Sequence, residues 1–177
     1  MILDKPILSE RLLYRTLNDN DAVGSYLGWV KDPAIIKFLD VRFTAQSEDG
    51  LRDFIAEKNR SPDDLLLGMF SDDGTVHIGN IKLTIDRSHN RGDIGLLIGD
   101  QASWGQGLAS EAISTLSDYA RDPLRLHRVY AGCVAENIGS EKAFIKSGFI
   151  KEGTLKDHWS DGSSWFDVII LGKVLAS

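Results

Sequence analysis

Apolar residues recur in two registers along this chain, alternating in some segments and spaced three to four apart in others, and the two kinds interleave. Residues 12–17 (LLYRTL) alternate and predict a strand, while 19–31 follow an Asx-rich start and predict a helix. Asp32 followed by Pro33 restarts a helix to residue 39, because proline suits a first helical position. Ser47, with Glu48 and Asp49 behind it, predicts the capped start of a third helix. Three strands are then expected at 65–70, 76–85 and 92–99, joined by short turns such as SDDG and most simply connected as an antiparallel meander. In the middle strand the apolar parity changes between Ile78 and Ile81, which a bulge at Gly79 and Asn80 would absorb. Residues 107–121 predict a helix with Leu108, Ala112, Leu116 and Ala120 on one stripe. Residues 128–134 then read as strand, 137–146 as helix, and 149–152 and 165–174 as closing strands. No repeat, low-complexity tract or linker interrupts this order, so one domain over 1–177 is expected.

The stretch that carries chemistry is GLLIGDQASWGQGLASEAI, residues 95–113, where an apolar strand runs into a glycine loop that opens an amphipathic helix. A helix start presents unpaired N–H groups and the positive end of a dipole, and Gly105 and Gly107 let that backbone approach an anion such as a pyrophosphate. A plain turn with a helix cap would use the same residues. The Walker pattern G-x-x-x-x-G-K-[ST] is absent, and a dinucleotide fingerprint would need a glycine where Ser110 stands. The strands before the loop also look antiparallel, which argues against a Rossmann unit.

Composition narrows the partners. Hydrophobic residues at 42% and charged residues at 26% are ordinary globular values. A formal charge of −6 and a pI near 5.2 disfavour nucleic acid and suit a cationic substrate. Cys133 is the only cysteine, so no intramolecular disulfide can form. The charged start MILDKPILSERL and the lack of any run of ~20 apolar residues point to the cytoplasm and away from a membrane. His77, His89 and His127 lack metal-ligand spacing, so no metal is expected.

A second segment, AGCVAENIGSEKAFIKSGF at 131–149, adds a strand, a polar exit at Glu136 and Asn137, and a further helix. Together with the glycine loop it resembles the GCN5-related N-acetyltransferase superfamily. The branch it looks like acetylates ribosomal-protein N-termini, polyamines and amino sugars, and SERLLYR near the start and GTLKDHWSDGSSWFDVIIL near the end resemble that branch too. The resemblance implies the acyl-CoA N-acyltransferase fold: a mixed α/β, mostly antiparallel sheet with a splayed central parallel pair and helices on both faces. It implies acetyl-CoA as cosubstrate, with pantetheine along the strand edge Leu97, Ile98 and Gly99. The pyrophosphate would rest on Trp104, Gly105, Gln106, Gly107, Leu108, Ala109 and Ser110, with Asn137 and Lys142 as further coenzyme contacts.

The acceptor implied is a small amine, such as an amino sugar or polyamine, or a protein N-terminus, acted on by a monomer or homodimer. Many members carry a tyrosine acid where Phe144 stands, so Ser140, one turn away on the same helical face, is the candidate acid for the leaving thiolate. A serine near a helix start also serves to satisfy backbone. An ammonium acceptor must lose a proton first. Asp93 is the favoured base, with Glu136 and the Asp157–His158 pair as alternatives. A binding module that holds acetyl-CoA without turnover is the competing expectation.

Overall fold

The alternating segments become eight strands in the computed structural model, which describes residues 1–43 and 46–175. They are β1 (Ile7–Leu8), β2 (Leu12–Thr16), β3 (Asp64–Ser71), β4 (His77–Asp86), β5 (Arg91–Ile98), β6 (Arg128–Val134), β7 (Ile150–Ser160) and β8 (Trp165–Val174). All join one sheet in the order β1-β2-β3-β4-β5-β6-β8-β7. Every neighbouring pair is antiparallel except β5 and β6, which run parallel for three registered pairs, Arg91 with Arg128, Gly92 with Val129 and Asp93 with Tyr130, and pair no further.

Among the described residues four α-helices cover the sheet: α1 (Ser25–Lys31), α2 (Glu48–Arg60), α3 (Leu108–Arg121) and α4 (Ile138–Lys146). One core lies against α3 and α4, where Leu67, Met69, Ile81, Leu83 and Ile94 meet Leu108, Ala112, Ile113 and Leu116. A second core on the opposite face joins Leu17, Leu66 and Phe70 to Tyr26, Trp29, Val30, Leu51 and Ile55 of α1 and α2. Strand β3 is buried on both sides, which explains its unbroken apolar run Leu65, Leu66, Leu67. The alanines of the α3 stripe are fully buried and let that helix approach the sheet closely.

Local signals decide where the expectations shift. The helix read over 19–31 is broken by Gly24 at φ +66°, which ends a 3₁₀ turn (Asp19–Ala22) closed by an Asn18/Asp21 capping box and starts α1. Residues 33–39 form turns rather than a helix: Ile35 and Ile36 both donate to the Asp32 carbonyl at 3.1 Å, and the ladder does not propagate. A short segment cannot recover the cost of helix nucleation when its side chains are drawn elsewhere. The bulge in β4 falls at Ile78, one residue before the expected pair, because Met69 faces Gly79 while Phe70 faces His77. Strand β7 extends eight residues past Glu152, carrying mostly exposed side chains along the sheet edge, with Asp157 at φ +46° where its register shifts.

Candidate functional site

The site begins where β5 and β6 part. Gly99 donates its N–H to the Ile78 carbonyl at 3.0 Å, so this end of the β4–β5 ladder pairs residue 99 with 78. In an antiparallel ladder such pairs alternate, and the odd residues of β5 therefore direct N–H and C=O toward β4 while the even residues direct theirs toward β6. Beyond Asp93 no partner strand receives them. Past Ile94, the groups facing the gap belong to Leu96 and Ile98. Among these the Ile98 carbonyl accepts a 2.9 Å hydrogen bond from Trp104 Nε1. Leu97 borders the cavity, whereas Gly99 lies outside it, with its amide bound to Ile78 and its α-carbon against the Trp29 ring.

After the strand the chain turns through Gly105 at φ +73° and Gly107 at φ +81°, values that side chains rarely adopt. Gly107 caps α3 without any side-chain acceptor, leaving the amides of Leu108, Ala109 and Ser110 without intrahelical partners. Three cations gather here. Lys146 Nζ lies 3.6 Å and Arg11 Nη2 3.8 Å from where a Cβ on Gly107 would stand, and Lys142 lines the same cavity. Arg11 is fixed by Glu111 at 2.7 Å and by the Gln106 carbonyl at 2.9 Å, which ties the N-terminal segment to the loop. Burial pushes the Glu111 carboxyl up, but hydrogen bonds from Ser9 and Arg11 more than offset it and hold it below the usual range. The Gln106 side chain turns back to the Ala102 carbonyl and does not line the cavity.

Helix α4 forms the other wall. Asn137 caps it, accepting from the Ser140 amide at 3.2 Å through Oδ1. Ser140 lines the cavity, with its hydroxyl toward Cys133 behind it. Burial pushes the Cys133 thiol up to about 11, with Glu141 adding to the shift, so it stays protonated near neutrality. Phe144, one turn on, is core: it is 2% exposed and packs edge to face on Phe149 at 5.0 Å.

Together these residues enclose about 700 Å³. A second cavity of about 360 Å³ shares Lys37 and Phe38 with it and is otherwise walled by Pro33, Glu136, Trp159, Asp161 and Phe166. Asp93 lies in neither, at the last paired position of the parallel strands. Burial raises its carboxyl, Lys82 partly offsets this, and no hydrogen-bond partner reaches it among the described residues. Asp157 and His158 stand on exposed β7 and line neither cavity.

A strand edge left open by a splay, followed by a glycine turn into a cation-flanked helix start, suits an extended arm ending in a pyrophosphate. The sequence of residues 11–150 matches the Acetyltransferase (GNAT) domain. This chain belongs to the GNAT acetyltransferase family. The uncharacterized N-acetyltransferase p20 of Bacillus licheniformis is 32% identical over 86% of this chain and 86% of its own length. Two solved structures share the fold. The ribosomal-protein-S5-alanine acetyltransferase of Vibrio fischeri has a TM-score of 0.84 at 20% identity, covering 98% of both chains. The spermidine N-acetyltransferase of Vibrio cholerae, in complex with CoA and spermine, has a TM-score of 0.82 at 20% identity, covering 94% of this chain and 97% of its own.

Of the residues singled out from sequence, Leu97, Ile98, Trp104, Gly105, Gly107, Leu108, Ala109, Ser110, Asn137, Ser140 and Lys142 meet in the larger cavity, while Gly99, Gln106 and Asp93 stand outside it. Sequence reasoning passed over Leu96 and Lys146 and, from the 34–39 segment, Ala34, Ile35, Lys37, Phe38 and Leu39, all of which line it. The register of β5 brings Leu96 there, and the packing of α4 on α3 brings Lys146.

Proposed function

We propose that this GNAT protein transfers the acetyl group of acetyl-CoA to a primary amine by direct attack, without a covalent enzyme intermediate. The observation that carries the reading is the convergence of the β5–β6 splay, the Gly105–Gly107 turn and Lys142 and Lys146 on one cavity. In this reading acetyl-CoA supplies an activated thioester. The amides of residues 108–110 and the two lysines hold its pyrophosphate. Leu96 and the Ile98 N–H pair with the pantetheine arm, Asn137 offers its free amide Nδ2, and an N–H of the open edge steadies the developing oxyanion. Ser140 donates a proton to the departing thiolate. Asp93, which borders neither cavity, takes the proton of the amine through a bridging water, a task that its raised carboxyl suits. The protonated Cys133 thiol is a poor nucleophile, which favours direct transfer over an acyl-cysteine.

The acceptor reaches the thioester through the smaller cavity, which meets the larger at Lys37 and Phe38. A small amine or a protein N-terminus fits this arrangement, in the cytoplasm. The test is release of free thiol from acetyl-CoA in the presence of spermidine, glucosamine and an alanine-terminated peptide. Turnover with one of them supports the reading, and coenzyme binding with no thiol release from any amine would leave a binding module instead.

A further inference from the structure

The hydrogen bond from Trp104 to Ile98 does something that a wall residue would not. Four backbone groups face the gap beyond Ile94: the N–H and C=O of Leu96 and of Ile98. One of the four, the Ile98 carbonyl, is occupied by the Trp104 indole at 2.9 Å. It is also the carbonyl nearest the glycine turn, so an arm descending from that turn into the gap would meet it first. Strand pairing repeats every two residues, and an arm that paired here would stop one repeat short. Its reactive end would then lie ~6.6 Å from the productive position, a displacement that abolishes transfer geometry.

We infer that Trp104 is a register stop: its indole N–H caps the Ile98 carbonyl, so that the pantetheine arm can pair only deeper in the gap. The proposal rests on the coenzyme reading above and assigns Trp104 as a positioning residue, distinct from a contact that only adds affinity. Geometry supports this role. The ring is 48% exposed and lines the coenzyme cavity, yet its one polar atom points back to the strand. Leucine or phenylalanine here would wall the cavity equally well but would leave the carbonyl open.

A register stop has a kinetic signature that a plain contact lacks. Opening a second, unproductive pairing adds a way to bind without adding a way to react. Trp104→Phe keeps a ring and removes the donor, so coenzyme A affinity by calorimetry should stay unchanged or tighten. In the same variant kcat and KM for acetyl-CoA should fall together by about fivefold, the factor that one net hydrogen bond supplies, leaving kcat/KM intact. In wild-type protein labelled with 15N-tryptophan, the Trp104 indole proton, assigned by its loss in Trp104→Phe, should keep its exchange protection when coenzyme A is added.

Three results would overturn the inference: weakened coenzyme A binding with a lower kcat/KM in Trp104→Phe, kinetics unchanged from wild type, or an indole proton that loses protection on binding. The labelled wild type decides the matter even if the variant folds poorly. A wild-type protein that gives no heat with coenzyme A removes the coenzyme reading and this inference together, whereas binding with any of the three results removes this inference alone.

Discussion

Valine in place of Gly107 puts a β-branched side chain at φ +81°, and the space around that position says what kind of cost follows. The nearest atoms to a Cβ at that position are Lys146 Nζ at 3.6 Å and Arg11 Nη2 at 3.8 Å, ordinary contact distances at the ends of flexible side chains. Collision is therefore minor, and the left-handed backbone dominates at about 1–2 kcal/mol for a side-chain-bearing residue, more for a branched one. For a chain of this size that predicts a melting temperature lower by roughly 2–8 °C. If the turn relaxes to shed the strain, at least one amide at the start of α3 swings away from the bound phosphate. A hydrogen bond to a charged group contributes about 1.5–3 kcal/mol, so coenzyme A should bind about ten- to a hundredfold more weakly by calorimetry. Asparagine tolerates the left-handed region, and Gly107→Asn should keep most of the affinity. A Gly107→Val protein that melts lower yet binds coenzyme A as tightly as wild type would refute the placement of the phosphate.

Asn137 has two roles that separate by substitution. Asn137→Asp keeps the oxygen that caps α4 and should raise the KM for acetyl-CoA with little change in melting temperature, whereas Asn137→Ala should also lose about 1 kcal/mol of stability in urea unfolding. Asp93→Asn should lower the rate of thiol release. It should also stabilise the fold, because a carboxyl raised by burial contributes stability that is full below its unfolded pKa of about 4 and is lost as pH rises through the folded value. The gain in urea unfolding should accordingly be larger at pH 7 than at pH 4, and an equal effect at both would mean that Asp93 is solvated. Ser140→Ala should lower kcat about 10²-fold with coenzyme affinity near normal if Ser140 is the acid, and a much smaller drop would assign proton delivery to water.

What could be read in the sequence and what could not divide along a physical line. The glycine turn and α3 were legible because Gly105, Gly107 and the apolar stripe each state a demand of their own stretch of backbone. The splay entered through a family likeness, and Phe144 shows the limit of such a likeness. Its side chain announces that a phenol is missing, but only packing reveals that the ring is turned into the core against Phe149 while Ser140, on the same helical face, meets the cavity. Strand β7 was half invisible because an edge strand with exposed side chains carries no apolar alternation. The gap's hydrogen-bonding groups belong to the even residues of β5, a parity that depends on which atoms β4 has already taken, and no property of Leu96, Leu97 or Gly99 records it. The same holds for Lys146 and Arg11, which come from opposite ends of the chain to flank one glycine. If this turn holds the coenzyme phosphate as proposed, its backbone is written locally and its charges come from distant elements, so affinity should fall stepwise as those charges are removed while the turn itself stays formed.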